Sequence, residues 1–313
     1  MTSTSAGTTP AARPHAAITD PLPPQAVLWM VALCAIYAMG QITIKIGNQG
    51  ISPLMQAGLR SAGATVIIVA WMLRRGISLK PKAGIALPAV AIGVLFALEF
   101  VGFYWGLALT TAARGTILLY TAPFFVALGG HYLLKDRLTN TQWLGLLLAF
   151  GGVAMVVGGG PSRAAGAPSM AGDLLCLGGG IAWAATTLVI RGTALRDEQA
   201  ERSLLYQLVI SAVLLTAASV LMGEELGEAG IFAPTLGTWL ALAYQILAVA
   251  SFGYLWWFVL IQRYSPARLS AFTFLTPLFG VVFAGLILGE ELTLPLLGAA
   301  VLCASGLWLI NRR

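Results

Sequence analysis

The last third of this chain repeats its middle third. Residues 104–156 and 258–310 align without a gap at an offset of 154 positions. Matched residues include Ala113/Ala267, Arg114/Arg268, Pro123/Pro277, Phe125/Phe279, Leu138/Leu292, Thr139/Thr293 and Gly152/Gly306. Arginine is scarce here, so a matched Arg–Pro spacing inside two apolar segments carries more information than the same number of matched leucines. A duplicated apolar unit predicts two half-domains that meet around one central site.

Composition says what kind of unit is duplicated. Hydrophobic residues make up 58% of the 313 and charged residues only 10%, whereas a soluble domain is about a quarter charged. Ten apolar runs are long enough to cross a bilayer, which takes about 20 residues each. They fall near 26–46, 53–73, 84–108, 112–134, 140–158, 172–192, 203–222, 236–262, 267–288 and 293–310. The breaks are polar or turn-prone: Ser52-Pro53, Arg74–Lys82, Lys135-Asp136-Arg137 and Gly289-Glu290-Glu291. The expected architecture is an all-α membrane protein, ten transmembrane helices in two inverted five-helix repeats. Residues 1–25 read as a disordered tail, 26–158 as the first repeat, 159–171 as a Gly/Pro/Ala-rich linker and 172–313 as the second repeat. No basic n-region with a short h-region precedes the first span, so no signal peptide is expected.

The cationic residues assign the sides. With the N-terminus in the cytoplasm, 14 of the 18 Lys and Arg residues fall on that face. This predicts a multi-pass protein of the cell (inner) membrane with both termini cytoplasmic. The net charge of +6 is spread over short loops and forms no single nucleic-acid-binding patch. An odd number of spans per half starts the second copy on the opposite side of the bilayer, so Arg114 and Arg268 face opposite ways and the repeat is inverted.

Two stretches carry a family resemblance. Pro277 is followed by Leu288-Gly289-Glu290-Glu291-Leu292-Thr293 and a small-residue helix ending in Gly306. Pro123 is followed by Leu134-Lys135-Asp136-Arg137-Leu138-Thr139 and Gly152. With this pattern the chain resembles the drug/metabolite transporter superfamily, specifically the ten-helix EamA-type exporters. The resemblance implies a secondary transporter that moves small metabolites by alternating access through a central cavity, in the direction of export. Amino acids are the first expected substrates. Drug-like cations or sugar-linked metabolites on the same fold are the alternative. No G-x-x-x-x-G-K-[ST], H-E-x-x-H or paired-Cys motif occurs. The reading is therefore not an enzyme and needs no cofactor or metal; its partners are a small solute and the lipid bilayer. Proton coupling, and a monomeric or oligomeric state, stay open.

The candidate site follows from polar and aromatic residues at mid-span. Glu99 is the one carboxylate deep in a span, and a charge there must face the bundle interior or a wet cavity. It fits substrate-amine binding or a proton relay, with a structural carboxyl bonded to a neighbouring helix as the alternative. Phe103 lies one turn on, and its repeat partner is Trp257. Tyr120 and its partner Phe274 precede the matched prolines. Tyr37, Gln41 and Lys45 form one stripe of span one, with Lys45 reaching the interface. Trp183 and Thr187 share a face of span six, and Tyr244 projects from span eight. Arg60, two turns into span two, reads as structural, with a partner such as a backbone carbonyl, and with direct solute contact as the alternative. Pro123 and Pro277 each remove a backbone hydrogen bond, which predicts paired kinks as gating elements, with static kinks as the alternative. The thiols Cys34, Cys176 and Cys303 read as small buried hydrophobes.

Overall fold

A computed structural model describes residues 22–82, 84–158, 169–224, 233–264, 269 and 271–311. The elements, in chain order, are α1 (Pro24–Gly47), α2 (Pro53–Arg74), α3 (Ala86–Leu109), α4 (Ala112–Leu119), α5 (Ala122–Leu133), α6 (Asn140–Gly158), α7 (Met170–Gly192), α8 (Ala200–Leu221), α9 (Leu236–Tyr244), α10 (Tyr254–Arg263), α11 (Leu275–Leu288) and α12 (Leu294–Asn311). A π-helical stretch, Gln245–Gly253, joins α9 to α10. Among the described residues, nine helical segments are long and apolar enough to span a membrane, and Phe272–Leu288 is a shorter tenth. The chain is an all-helical membrane protein. Most of residues 1–25, most of the join 159–171, Ala267, Arg268, Arg312 and Arg313 lie outside the described residues.

Two expected spans are interrupted. Residues 112–134 do not form one helix, because the backbone breaks at Tyr120-Thr121 between α4 and α5. Pro123 is therefore not an interior kink; it occupies the first turn of α5, where the missing N–H has no partner to lose. Likewise Pro277 is the third residue of α11, after a 3-10 turn over Ala271–Phe274. The break exposes the Leu119 carbonyl, and α7 covers it with Gly180, where an added Cβ would sit 2.9 Å from that oxygen.

Glycine explains the close crossings. Leucine against lipid is as well solvated as leucine against leucine, so membrane helices associate where small residues let backbones approach. At the α3–α7 crossing, Cβ atoms at Gly102 and Gly179 would lie 2.6 Å from Leu175 O and 2.9 Å from Glu99 O. The α6–α12 crossing shows the inverted repeat in atomic detail. A Cβ at Gly306 would lie 2.5 Å from Gly145 O, and one at Gly152 would lie 2.9 Å from Ala299 O. Gly152/Gly306 and Gly145/Ala299 are both separated by 154, so the two contacts are one contact related by a two-fold axis. Apolar side chains such as Leu87, Leu147, Leu221, Leu286 and Leu294 point outward, as a lipid-facing surface requires.

Candidate functional site: a central cavity open at one end

Between the halves lies a cavity of ≈ 1650 Å³. From α1 it is lined by Tyr37 and Gln41, from α2 by Arg60, and from α3 by Glu99 and Phe103. Tyr120 and Pro123 line it at the α4–α5 break, and Trp183 and Thr187 from α7. Gln245 begins the π-helical stretch, and Tyr254 and Trp257 complete the wall from α10. The Tyr120 and Trp183 rings meet edge to face at 5.6 Å, and the Tyr37 and Tyr254 rings lie 6.1 Å apart. Thr187 donates its hydroxyl to Trp183 O at 3.1 Å. The sequence reading thus gathers Tyr37, Gln41, Glu99, Phe103, Tyr120, Trp183, Thr187 and Trp257 in one place.

Two expected residues are not there. Tyr244 donates its hydroxyl to Ile36 O at 3.2 Å, tying α9 to α1 outside the cavity. Phe274 packs against the cluster of Phe124, Leu146, Ala149, Leu307 and Ile310. Its repeat partner Tyr120 does line the cavity, because the chain around 120 breaks between two helices whereas the chain around 274 forms a 3-10 turn. Pro277 also lies off the wall. Conversely, Arg60 is not tied to a carbonyl. Its guanidinium lies 4.4 Å from the centre of the Phe100 ring and close to Tyr254, Tyr104 and Glu99.

The cavity floor holds polar atoms without partners. Arg60, Glu99 and Gln41 keep 3%, 7% and 7% of their exposure. Arg60 Nη1, Glu99 Oε2 and Gln41 Oε1 nevertheless make no hydrogen bond. Burying such groups unpaired costs free energy that packing rarely tolerates without a functional return.

One end of the cavity is open, flanked by Lys135, Asp136, Arg137, Arg191, Arg196 and Asn311. There Arg191 donates to Asp136 at 2.5 Å. The other end is sealed by a hydrogen-bonded network. Gln245 Nε2 donates to Gln56 Oε1 at 2.6 Å, Gln56 Nε2 to Asn48 Oδ1 at 2.8 Å, and Tyr104 Oη to Gln245 Oε1 at 2.8 Å. Gly47 makes room for this network, since an added Cβ would lie 2.2 Å from Gln56 Oε1. Lys45 does not reach out to an interface; it donates to Leu107 O and Thr110 O at the end of α3, where a cation meets the negative end of the helix dipole.

Beyond the network, two acidic residues fasten one half to the other. Glu290 accepts the Ala112 and Ala113 N–H groups at 2.6 and 3.0 Å, at the start of α4. Glu224 accepts the Leu54 N–H at the start of α2 at 3.0 Å, together with Trp105 Nε1 at 2.5 Å and Ser219 Oγ at 2.9 Å. Helix N-termini carry unpaired donors and partial positive charge, so each carboxylate has a well-matched seat. Arg114 forms a two-pronged pair with Asp173, which also accepts the Thr110 hydroxyl at 2.7 Å. Sequence reasoning missed Glu224, Glu290, Asp173, Gln56 and Gln245. The available signal was the acidic turn before Leu292-Thr293; its counterpart Asp136 pairs with Arg191 at the open end.

Comparison with known proteins agrees with this architecture. The model of the EamA-like transporter family matches residues 24–158 and 170–312. The uncharacterized transporter YyaM of Bacillus subtilis (strain 168) is 25% identical over 252 residues, covering 80% of each chain. The uncharacterized inner membrane transporter YedA of Escherichia coli (strain K12) is 27% identical, covering 84% of this chain and 83% of its own. A probable amino-acid metabolite efflux pump of Salmonella typhimurium is 25% identical, covering 88% of this chain and 90% of its own. A solved crystal structure superposes with a TM-score of 0.63 at 17% identity, over 91% of this chain and 94% of that one, a likeness of fold alone.

Proposed function

The chain belongs to the EamA-like transporter family, and we propose that it exports small metabolites, amino acids first among them, by alternating access through the central cavity. The observation that carries this reading is a cavity lined by both halves, with exposed charged residues at one end and a buried hydrogen-bonded network at the other. A solute entering at the Lys135–Arg137 end reaches Glu99, Gln41 and Arg60 and meets a sealed wall beyond them. Translocation then requires the mouth to close and the Glu224 and Glu290 fasteners to release. Inverted repeats suit this exchange, because each half can take up the shape its counterpart had.

The open end carries Lys135, Arg137, Arg191 and Arg196, which by the positive-inside rule is the cytoplasmic face. The described state is then inward-facing, ready to load a solute for export. The efflux-pump name of the Salmonella relative supports the direction and the amino-acid class. The aromatic wall of Tyr37, Phe103, Tyr120, Trp183 and Trp257 suits an apolar side chain. Cationic drug-like or sugar-linked solutes are the second reading, and the same aromatic wall accommodates them.

Two measurements test the proposal. Counterflow of labelled amino acids, quaternary amines and sugars into pure-protein liposomes should show saturable exchange of amino acids; exchange of the amines or sugars alone would replace the substrate class. Reporters fused after residue 160 and at the C-terminus should land on opposite sides of the membrane. Two cytosolic signals would remove the five-plus-five topology.

A further inference from the structure

The unpartnered atoms on the cavity floor specify more than a wet site. Arg60 is on α2 and Glu99 on α3, and both line the same cavity. Yet they form no ion pair: among the described residues the salt bridges lie elsewhere. An arginine stays protonated in proteins. Its guanidinium is held by one face of Phe100 and by the Tyr254 side chain, neutral partners that steady a cation without neutralising it. Nη1 of Arg60 and Oε2 of Glu99 have no partner although both side chains are more than nine-tenths buried. A buried guanidinium nitrogen and a buried carboxyl oxygen, both without partners and kept apart beside an open cavity, are complementary to a ligand with its own separated charges.

Resting on the reading of this cavity as the transport site, we propose that Arg60 takes the carboxylate and Glu99 the ammonium of a net-neutral α-amino acid, with Gln41 Oε1 accepting a second ammonium hydrogen. The pair then acts as a charge-balance filter. A zwitterion completes both groups and adds no net charge to a low-dielectric floor. A cation satisfies Glu99 and leaves Arg60 Nη1 without a partner. An anion does the reverse, and a neutral sugar completes neither. Each charge-assisted bond left unmade weakens binding about 10- to 100-fold, so the filter separates amino acids from the two rival solute classes on this fold. The solute's side chain is left to the aromatic wall, which sets size rather than charge.

The test uses the purified full-length protein and isothermal titration calorimetry. Alanine, leucine and phenylalanine are each compared with the corresponding amide, which lacks the carboxylate, and the corresponding deaminated acid, which lacks the ammonium. At least one amino acid should bind about tenfold or more tightly than both of its analogues. Arg60→Gln should erase the preference over the amide and keep the preference over the deaminated acid. Glu99→Gln should do the opposite, and Arg60→Lys should restore part of the first preference. The proposal is overturned if the wild-type protein binds no amino acid, if it holds an amide or deaminated acid as tightly as its parent, or if both variants keep both preferences. Should a variant fail to fold, the wild-type ligand series alone decides. Counterflow on the same solutes separates the two claims: selective binding without flux removes the transport reading alone, and flux of quaternary amines without amino-acid binding removes the filter alone.

Discussion

Removing the Glu290 carboxylate should open the sealed end of the cavity. In the described state its two oxygens accept the Ala112 and Ala113 N–H groups at 2.6 and 3.0 Å. When the end opens, water takes over those donors, so the gain from the fastener is the net value of a helix cap rather than its gas-phase strength. A carboxylate cap is worth about 0.5–2 kcal/mol, and the charge–dipole attraction adds about 0.3–1 kcal/mol. Glu290→Ala should therefore favour the open end by ~1–2 kcal/mol, a factor of about 5 to 30. Glu224, with the Leu54 N–H, Trp105 and Ser219 as partners, should contribute a similar factor. The two act on separate helix starts, so Glu224→Ala with Glu290→Ala should approach the product of the single effects. The assay is the rate at which a membrane-impermeant maleimide labels Thr187→Cys from outside intact cells in a Cys34→Ala background, since Cys34 lines the same cavity whereas Cys176 and Cys303 are buried away from it. A double variant that folds, and is labelled within twofold of the parent rate, refutes the fastener.

Other perturbations probe other contacts. Gly306→Leu should cost at least about 1–3 kcal/mol through overpacking against Gly145 O, and Gly152→Leu should cost about as much by the two-fold relation; a melting temperature unchanged in either would contradict the crossing. Asp173→Asn leaves Arg114 short of its counter-charge and should lower stability by about 3–5 kcal/mol, the usual cost of breaking a buried pair, read as a lower melting temperature in detergent. Pro123→Ala restores a donor that can reach Leu119 O, so α4 and α5 can fuse and counterflow should slow severalfold. An unchanged rate there and in Pro277→Ala would make both breaks static.

Much of the architecture was legible because it depends on local sums. Whether a segment enters the bilayer depends on its own twenty residues, and ten such segments stand out. The repeat was legible in Pro123/Pro277 and Gly152/Gly306 because crowded or broken backbone tolerates few residue types. Tyr37, Gln41, Glu99, Phe103, Tyr120, Trp183, Thr187 and Trp257 were legible because a polar or aromatic group at mid-span has few places to go. Phe274 lies elsewhere, since repeat position predicts a counterpart's environment only where both copies have the same local shape, and Tyr244 lies elsewhere because its hydroxyl bonds Ile36 O on α1.

The amino-acid order by itself thus settled the membrane class, the duplication and the inversion, and pointed to several polar and aromatic residues of the cavity wall. It could not settle which buried polar group stays without a partner. That depends on the distance between side chains on different helices, set by glycine-permitted crossings such as α3 on α7. Arg60 and Glu99 are 39 residues apart in the chain; only the packed bundle sets them beside the same cavity without an ion pair between them. The same is true of Glu224 and Glu290, ordinary loop acids in the sequence, which become fasteners because tertiary packing delivers a helix start to each carboxylate.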